Sequence, residues 1–171
     1  VKFYNLDGKS TSLSLQALLG FNPMDGLDIK LAYRYNDVKA DYQSGALQKP
    51  LIAAHRTFAN VGYESKSGWK FDYTVNRIGS KRLASTSKNP ENLKRLKKSP
   101  AFFLSNAQIS KVWNDKFEIY IGGENIFNYR QENPITSADD TSSPFFDASQ
   151  VWGPIFGANI YVGFRHKLFN E

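Results

Sequence analysis

The sequence predicts an all-β protein, an antiparallel up-and-down meander of about seven strands. Two observations carry that expectation. Apolar and polar residues alternate with period two in five separate segments, as strands with unlike faces require. Short and long connections then alternate strictly along the chain.

The strands follow in order. In Thr11–Phe21 the odd positions hold Leu13, Leu15, Ala17, Leu19 and Phe21, against Ser12, Ser14 and Gln16. In Leu27–Asn36 the apolar set is Leu27, Ile29, Leu31, Tyr33 and Tyr35, interleaved with Asp28, Lys30, Arg34 and Asn36. Trp69, Phe71, Tyr73 and Val75 alternate with Lys70, Asp72, Thr74 and Asn76. Phe117, Ile119 and Ile121 do the same, as do Ile160, Val162 and Phe164 near the end. Weaker segments at Thr57–Tyr63 and Phe103–Lys111 complete the count. Asn22–Gly26, Ser65–Gly68 and Trp113–Lys116 read as tight turns, and roughly 37–50, 79–100 and 128–152 as long links. Trp152-Gly153-Pro154 reads as the start of the last strand, where no ladder donor is needed.

A sheet trimmed at one end and elaborated at the other is the pattern of outer-membrane barrels. A third cue agrees: Phe21, Tyr63, Trp69, Trp113 and Phe117 sit beside the tight turns, where aromatic rings anchor a barrel at headgroup depth. Composition excludes several other classes. Of 171 residues 15% are aromatic, so disorder is excluded, and no apolar run approaches the ~20 residues of a spanning helix. The chain has no cysteine, hence no disulfide framework, thiolate metal site or cysteine nucleophile. The net charge of +6 with many aromatics would suit a nucleic-acid groove, but that requires rings on the cationic face. Here they fall opposite Lys30, Arg34 and Lys70, so nucleic acid is not an expected partner. Lys81–Lys98 carries seven basic residues and one acid, Glu91. It is either a patch for an anionic ligand or lipopolysaccharide phosphate or, the reading favoured here, a solvated and mobile loop.

The final third carries a resemblance. Tyr120-Ile121-Gly122-Gly123-Glu124-Asn125-Ile126-Phe127-Asn128-Tyr129-Arg130-Gln131, Asn133-Pro134-Ile135, Phe146-Asp147-Ala148-Ser149 and Val151–Gly157 resemble the C-terminal part of TonB-dependent outer-membrane receptors, especially those of the Bacteroidota type. Pro50-Leu51, His55-Arg56 and Trp69–Asp72 resemble that family's late barrel strands. The resemblance implies that residues 1–171 are the C-terminal segment of a 22-stranded transmembrane barrel, without its plug domain. It implies import of a scarce nutrient such as an iron siderophore, haem or cobalamin. The implied partners are the remaining strands, the plug, the TonB complex, and outer-membrane lipid with lipopolysaccharide. The implied location is the outer membrane, with the C-terminus periplasmic. Val1–Asn5 would begin as a descending strand, and Phe169 would stand for the family's terminal aromatic. The alternative is a small closed eight-stranded barrel, Val1–Leu6 supplying the extra strand, with an adhesive or structural role.

Little points to catalysis. No nucleophile motif is present, and two histidines are too few for a histidine-rich metal site. No cofactor or metal is expected; Asp139-Asp140 with Asp147 matches no recognised calcium loop and reads as solvated loop acids. Candidate lumen- or loop-facing ligand contacts are Arg34, His55, Arg56, Glu124, Asn125 and Arg130. Glu124 and Asn125 can line the lumen or hydrogen-bond neighbouring loop backbone, as buried polar groups must.

Overall fold

The structure, a computed structural model, describes residues 8–42, 45–114 and 116–168. The expectations placed on Val1–Leu6 and Phe169 lie outside the described residues. Eight strands form one antiparallel sheet: β1 (Ser10–Met24), β2 (Leu27–Tyr42), β3 (Gly45–Gln48), β4 (His55–Glu64), β5 (Trp69–Ile78), β6 (Phe102–Trp113), β7 (Phe117–Glu124) and β8 (Asn159–His166). Their order is β1-β2-β4-β5-β6-β7-β8, with β3 paired to the far end of β2. Apart from that small hairpin, each long strand pairs with its sequence neighbour, as a meander requires.

Three expectations need correction. The segment 37–50 is largely strand: β2 runs on to Tyr42 and β3 returns along it, Lys39 opposite Gln48. Beside the first turn, β1 continues through Asn22 and Pro23 to Met24 with a register shift after Phe21, leaving only Asp25-Gly26 as turn. Trp152-Gly153-Pro154 lies within the last link, and β8 begins at Asn159. Among the described residues β1 and β8 do not pair and the sheet is open; the extra strand of the closed eight-stranded alternative, Val1–Leu6, lies outside them.

Register places the odd residues of β1 up to Phe21 and of β2, β4, β5, β6 and β7 on one face. Leu15 stands opposite Tyr35, Leu19 opposite Leu31 and Phe21 opposite Ile29. The row continues from Ile29 to Val61, Tyr73 and Ala107 across β4, β5 and β6. On β7 and β8, Ile119 pairs Phe164 and Ile121 pairs Val162. Alternation therefore produces a continuous apolar face whose members are largely exposed, for example Leu15, Leu31, Ile121 and Val162. From Leu27 to Tyr35 that face runs about 26 Å along the strand at ~3.3 Å per residue. Tilted by ~40°, as barrel strands are, such a face would span about 20 Å, close to the apolar band of an outer-membrane barrel.

Beside the tight turns the same face carries an aromatic row. Trp69 and Phe71 rings lie 6.4 Å apart, Trp113 and Phe117 5.8 Å, and Phe117 and Phe164 6.3 Å. The Lys111 amine sits 5.4 Å from the Trp69 ring and 5.8 Å from Trp113, so its charge rests in the aromatic row.

The turns lock onto their neighbours. Gly26, at φ +77°, brings its carbonyl to the Glu64 N–H at 2.8 Å, and a Cβ there would stand 2.1 Å from Glu64 O. Gly68, at φ +83°, bonds Val112 N–H in the same way at 2.8 Å. Only glycine fits both the left-handed backbone and the close approach.

A single sheet has no second layer, and the buried apolar residues show it. Among the described residues these are Ala53, Leu83 and Phe102, all at the long-link end. There the links knit together. Ala53 bridges Lys81, Arg82 bridges Lys98, and Leu51 N–H donates to Arg82 O at 2.9 Å. Arg95 reaches the last link, donating to Thr136 Oγ1 at 3.1 Å and Ile135 O at 3.0 Å. Lys81–Lys98 is thus hydrogen-bonded into a loop body. Lys81, Arg82 and Arg95 bridge links, and Lys94 pairs with Glu91 at 2.5 Å.

Candidate lumen-facing site

The even residues of β1 up to Gly20 and of β2, β4, β5, β6 and β7 form the opposite, concave face, which holds a cavity of about 1060 Å³. Its floor comes from rows across the sheet. One row is Gln16, Arg34, Arg56 and Ile78, continued outside the cavity by Phe102; the next, toward the tight turns, is Ala32, Phe58, Asn76 and Leu104, continued outside it by Leu18. The last link closes one side with Pro154, Phe156 and Gly157.

Polar groups on this face are mostly satisfied by cross-strand neighbours. Asn60 donates to Asp72 Oδ2 and Thr74 Oγ1, each at 2.9 Å. Tyr161 donates to Gln108 Oε1 at 3.0 Å. Lys30 pairs with Asp28 at 2.9 Å, Lys70 with Glu64 at 3.3 Å, and Arg165 with Glu118 at 3.1 Å. Arg34 Nε donates to Ser14 Oγ and Asn36 Oδ1, each at 3.2 Å.

The structure brings four of the six candidates together. Arg34, Arg56, Glu124 and Asn125 all line the cavity. His55 does not join them: it lies on the apolar face, its Nδ1 2.7 Å from Tyr33 Oη and its ring 5.3 Å from Tyr35. A phenol and two rings are no nucleophile relay. Arg130 is exposed in the last link, its Cδ near Gly157, and does not line the cavity.

Asn125 is committed to the loop. At φ +48° its backbone turns out of β7, its Oδ1 accepts Tyr129 N–H at 3.0 Å, and its Nδ2 donates to Tyr129 O at 2.7 Å. Asparagine adopts the left-handed region more readily than other side-chain-bearing residues, which suits it to this turn. Asn125→Ala is expected to cost about 1–3 kcal/mol through the orphaned Tyr129 groups. The readout is faster trypsin cleavage after Arg130 and a lower heat-modification temperature. Asn125→Gly eases the backbone but loses the same bonds, so it should restore only part of the loss.

Sequence reasoning missed the residues that hold the last link. Gln131 is buried; its Oε1 accepts the N–H groups of Trp152 at 2.7 Å and Gly153 at 3.0 Å, and its Nε2 donates to Gln150 O. Phe102 stacks on Tyr129 at 4.9 Å, with Trp152 at 5.8 Å. Burial raises the Tyr129 pKa and, aided by the Arg56 charge, lowers that of Lys81, whose amine donates to Trp152 O. No local signal marks these partners, which lie twenty to seventy residues apart. Leu18 did leave a signal, since it breaks the alternation between Ala17 and Leu19.

The loop acids serve turns. Asp140 accepts Ser142 Oγ at 2.6 Å, which holds its carboxyl below the ordinary range. Asp147 works against partial burial, yet bonds from Ser149 and Gln150 hold it low as well. Its contribution is present above the ordinary carboxylate pKa and is lost as pH falls through the depressed one. No group of three or more His, Asp or Glu among the described residues is placed to hold a metal ion.

No family model matches the chain, and no curated protein matches its sequence. Solved structures do match. The ferric-catecholate import receptor Fiu of Escherichia coli K12 superposes with a TM-score of 0.66 over 94% of this chain, at 12% identity. The sheet shares the fold of a part of that chain. The FrpB iron transporter of Neisseria meningitidis matches with a TM-score of 0.59 over 93% of the chain, at 10% identity. This chain spans 21% of the first and 23% of the second. The first is described as an import receptor and the second as an iron transporter.

Proposed function

We propose that the chain is the C-terminal barrel wall of a TonB-dependent outer-membrane receptor that imports a scarce nutrient, such as an iron siderophore, haem or cobalamin. In this reading residues 1–171 supply wall and extracellular loops, while a plug and the TonB complex act through other parts of the receptor. The observation that carries it is the one-layer sheet with two unlike faces. Its apolar face is exposed and belted by aromatics, its other face is largely polar and concave, and among the described residues both edges are open. An exposed apolar face of this size needs a cover, and unpaired edge groups in lipid would cost several kcal/mol each. Membrane on one side, a filled lumen on the other and further strands at both edges meet all three needs. The fold of Fiu and FrpB, both import proteins, supports the same reading.

Orientation is testable because the 171 residues hold no cysteine. Ala138→Cys lies exposed in the last link and Lys66→Cys in the tight turn between β4 and β5. With any other cysteine of the receptor removed, Ala138→Cys is expected to react with an impermeant maleimide in intact cells. Lys66→Cys is expected to react only after the outer membrane is permeabilised, in keeping with a periplasmic C-terminus. The reverse pattern would overturn the orientation.

A further inference from the structure

The long links enclose a second, smaller pocket within the loop body. Its volume is about 130 Å³, and it shares no lining residue with the cavity of the concave face. Leu83, Leu96, Pro100, Pro134 and Trp152 give it apolar walls. Leu96 is 70% exposed, and Pro100 and Glu132, also in the lining, are exposed as well, so the pocket opens at the surface. Two polar side chains of the lining have unused hydrogen-bonding capacity. Gln150 is only 7% exposed; its Nε2 donates to Asp147 Oδ2 at 2.9 Å, while its Oε1 has no partner among the described residues. A buried acceptor left in that state is costly unless a donor reaches it. Arg95 is fixed by Nε and Nη2, which donate to Thr136 Oγ1 and Ile135 O, and its Nη1 has no acceptor among those residues. Both side chains rest on one support, because Thr136 and Asp147 bridge each other at 2.9 and 3.1 Å.

One free acceptor and one free donor beside apolar walls narrow the ligand chemistry. The volume is slightly below the ~150 Å³ of an apolar cavity that takes one benzene, so the pocket admits a group of about four to six heavy atoms. Water is a poor occupant, since each molecule needs about two to four polar partners and these walls supply few. A carboxylate or phosphate would set its oxygens against the Gln150 oxygen, and an ammonium would meet the Arg95 guanidinium. A secondary amide satisfies both groups, its N–H donating to Gln150 Oε1 and its carbonyl accepting from Arg95 Nη1. We propose that this pocket recognises an acetamido group, its methyl lying against Leu83, Pro134 and Trp152. N-acetylated amino sugars and N-acetylated amines both carry that group. The site goes beyond the receptor reading and does not depend on it.

The test is saturation-transfer NMR on the full-length protein in detergent. The probes are N-acetylglucosamine and N-acetyl-lysine, with glucosamine and lysine as unacetylated controls. The expected result is transfer to at least one acetylated probe, strongest at its acetyl methyl, and none to the controls. The probe that responds identifies the source, sugar or amine, and a response from both means that the acetamide alone suffices. Gln150→Met keeps the length of the side chain but loses the acceptor, and is expected to weaken binding about ten-fold, the loss of one hydrogen bond. Leu96→Trp changes an exposed position at the mouth, and is expected to abolish the signal while the protein stays heat-modifiable. No transfer to either acetylated probe overturns the proposal. So does equal transfer to the controls, or a signal unchanged in either variant when that variant is still heat-modifiable.

Discussion

Replacing Leu31 by arginine is expected to abolish assembly of the protein in its membrane, while adding an arginine one residue away on the other face is expected to be tolerated. Leu31 lies mid-strand on the apolar face, opposite Leu19 and Ala59, and is 42% exposed, with nothing among the described residues to cover it. If that cover is lipid, a guanidinium at this depth costs about 2–4 kcal/mol. Ala32 points to the concave face, between Leu18 and Phe58, where a charge meets a polar lumen. The measurement is heat-modifiable protein in outer-membrane fractions of cells expressing Leu31→Arg or Ala32→Arg. Equal yields would mean that the apolar face is not in lipid.

The second large effect concerns a pair of tyrosines folded over glycines where β7 meets β8. Tyr120 lies over Gly163 and Tyr161 over Gly122, cross-strand partners in both cases. A Cβ at Gly163 would stand 2.3 Å from Tyr120 Oη, and one at Gly122 would stand 2.4 Å from Tyr161 Cζ. The two rings meet edge to face at 6.3 Å, so each ring fills the space its partner glycine leaves. Gly163→Ala must displace Tyr120 and is expected to cost about 1–3 kcal/mol as overpacking. Tyr120→Ala loses the ring's contacts instead. The double variant should be less damaged than the sum of the singles, because removing the ring removes the clash. Thermal unfolding of the three variants in detergent, followed by heat-modification, checks this. Strict additivity would sink the packing account.

The legibility of this fold follows from its chemistry. Where lipid-facing and lumen-facing residues alternate, period two is written directly into the sequence, and the odd set from Leu13 to Ile121 marks the apolar face without any coordinates. The same parity separates His55 from Arg56: extending the phase of Thr57–Tyr63 back two residues already places His55 on the apolar side. Legibility ended where the surroundings change. Beyond Asn36 the phase inverts, with Val38, Ala40 and Tyr42 on even positions and Asp37 and Lys39 paired at 2.8 Å on the odd ones. A strand leaving the apolar band no longer needs a greasy outer face, so β2 reads as a loop although its ladder continues. The loop body was hidden for a different reason. Lys81–Lys98 has the composition of a solvated segment, and the partners that fix it, Thr136 and Trp152, are remote in sequence. That Arg34 and Arg56 face each other needed register, because only the ladder sets the two cations opposite one another.

The most direct test of the central claim is the native size of the polypeptide. Outer-membrane fractions of the source cells would be probed with an antibody raised against residues 128–152, in the last link. The expected result is a band several-fold heavier than the 19.4 kDa of these 171 residues, since an open wall of eight strands requires further strands to close. A band at 19.4 kDa would contradict it and would mean that the sheet closes or is capped by some other means.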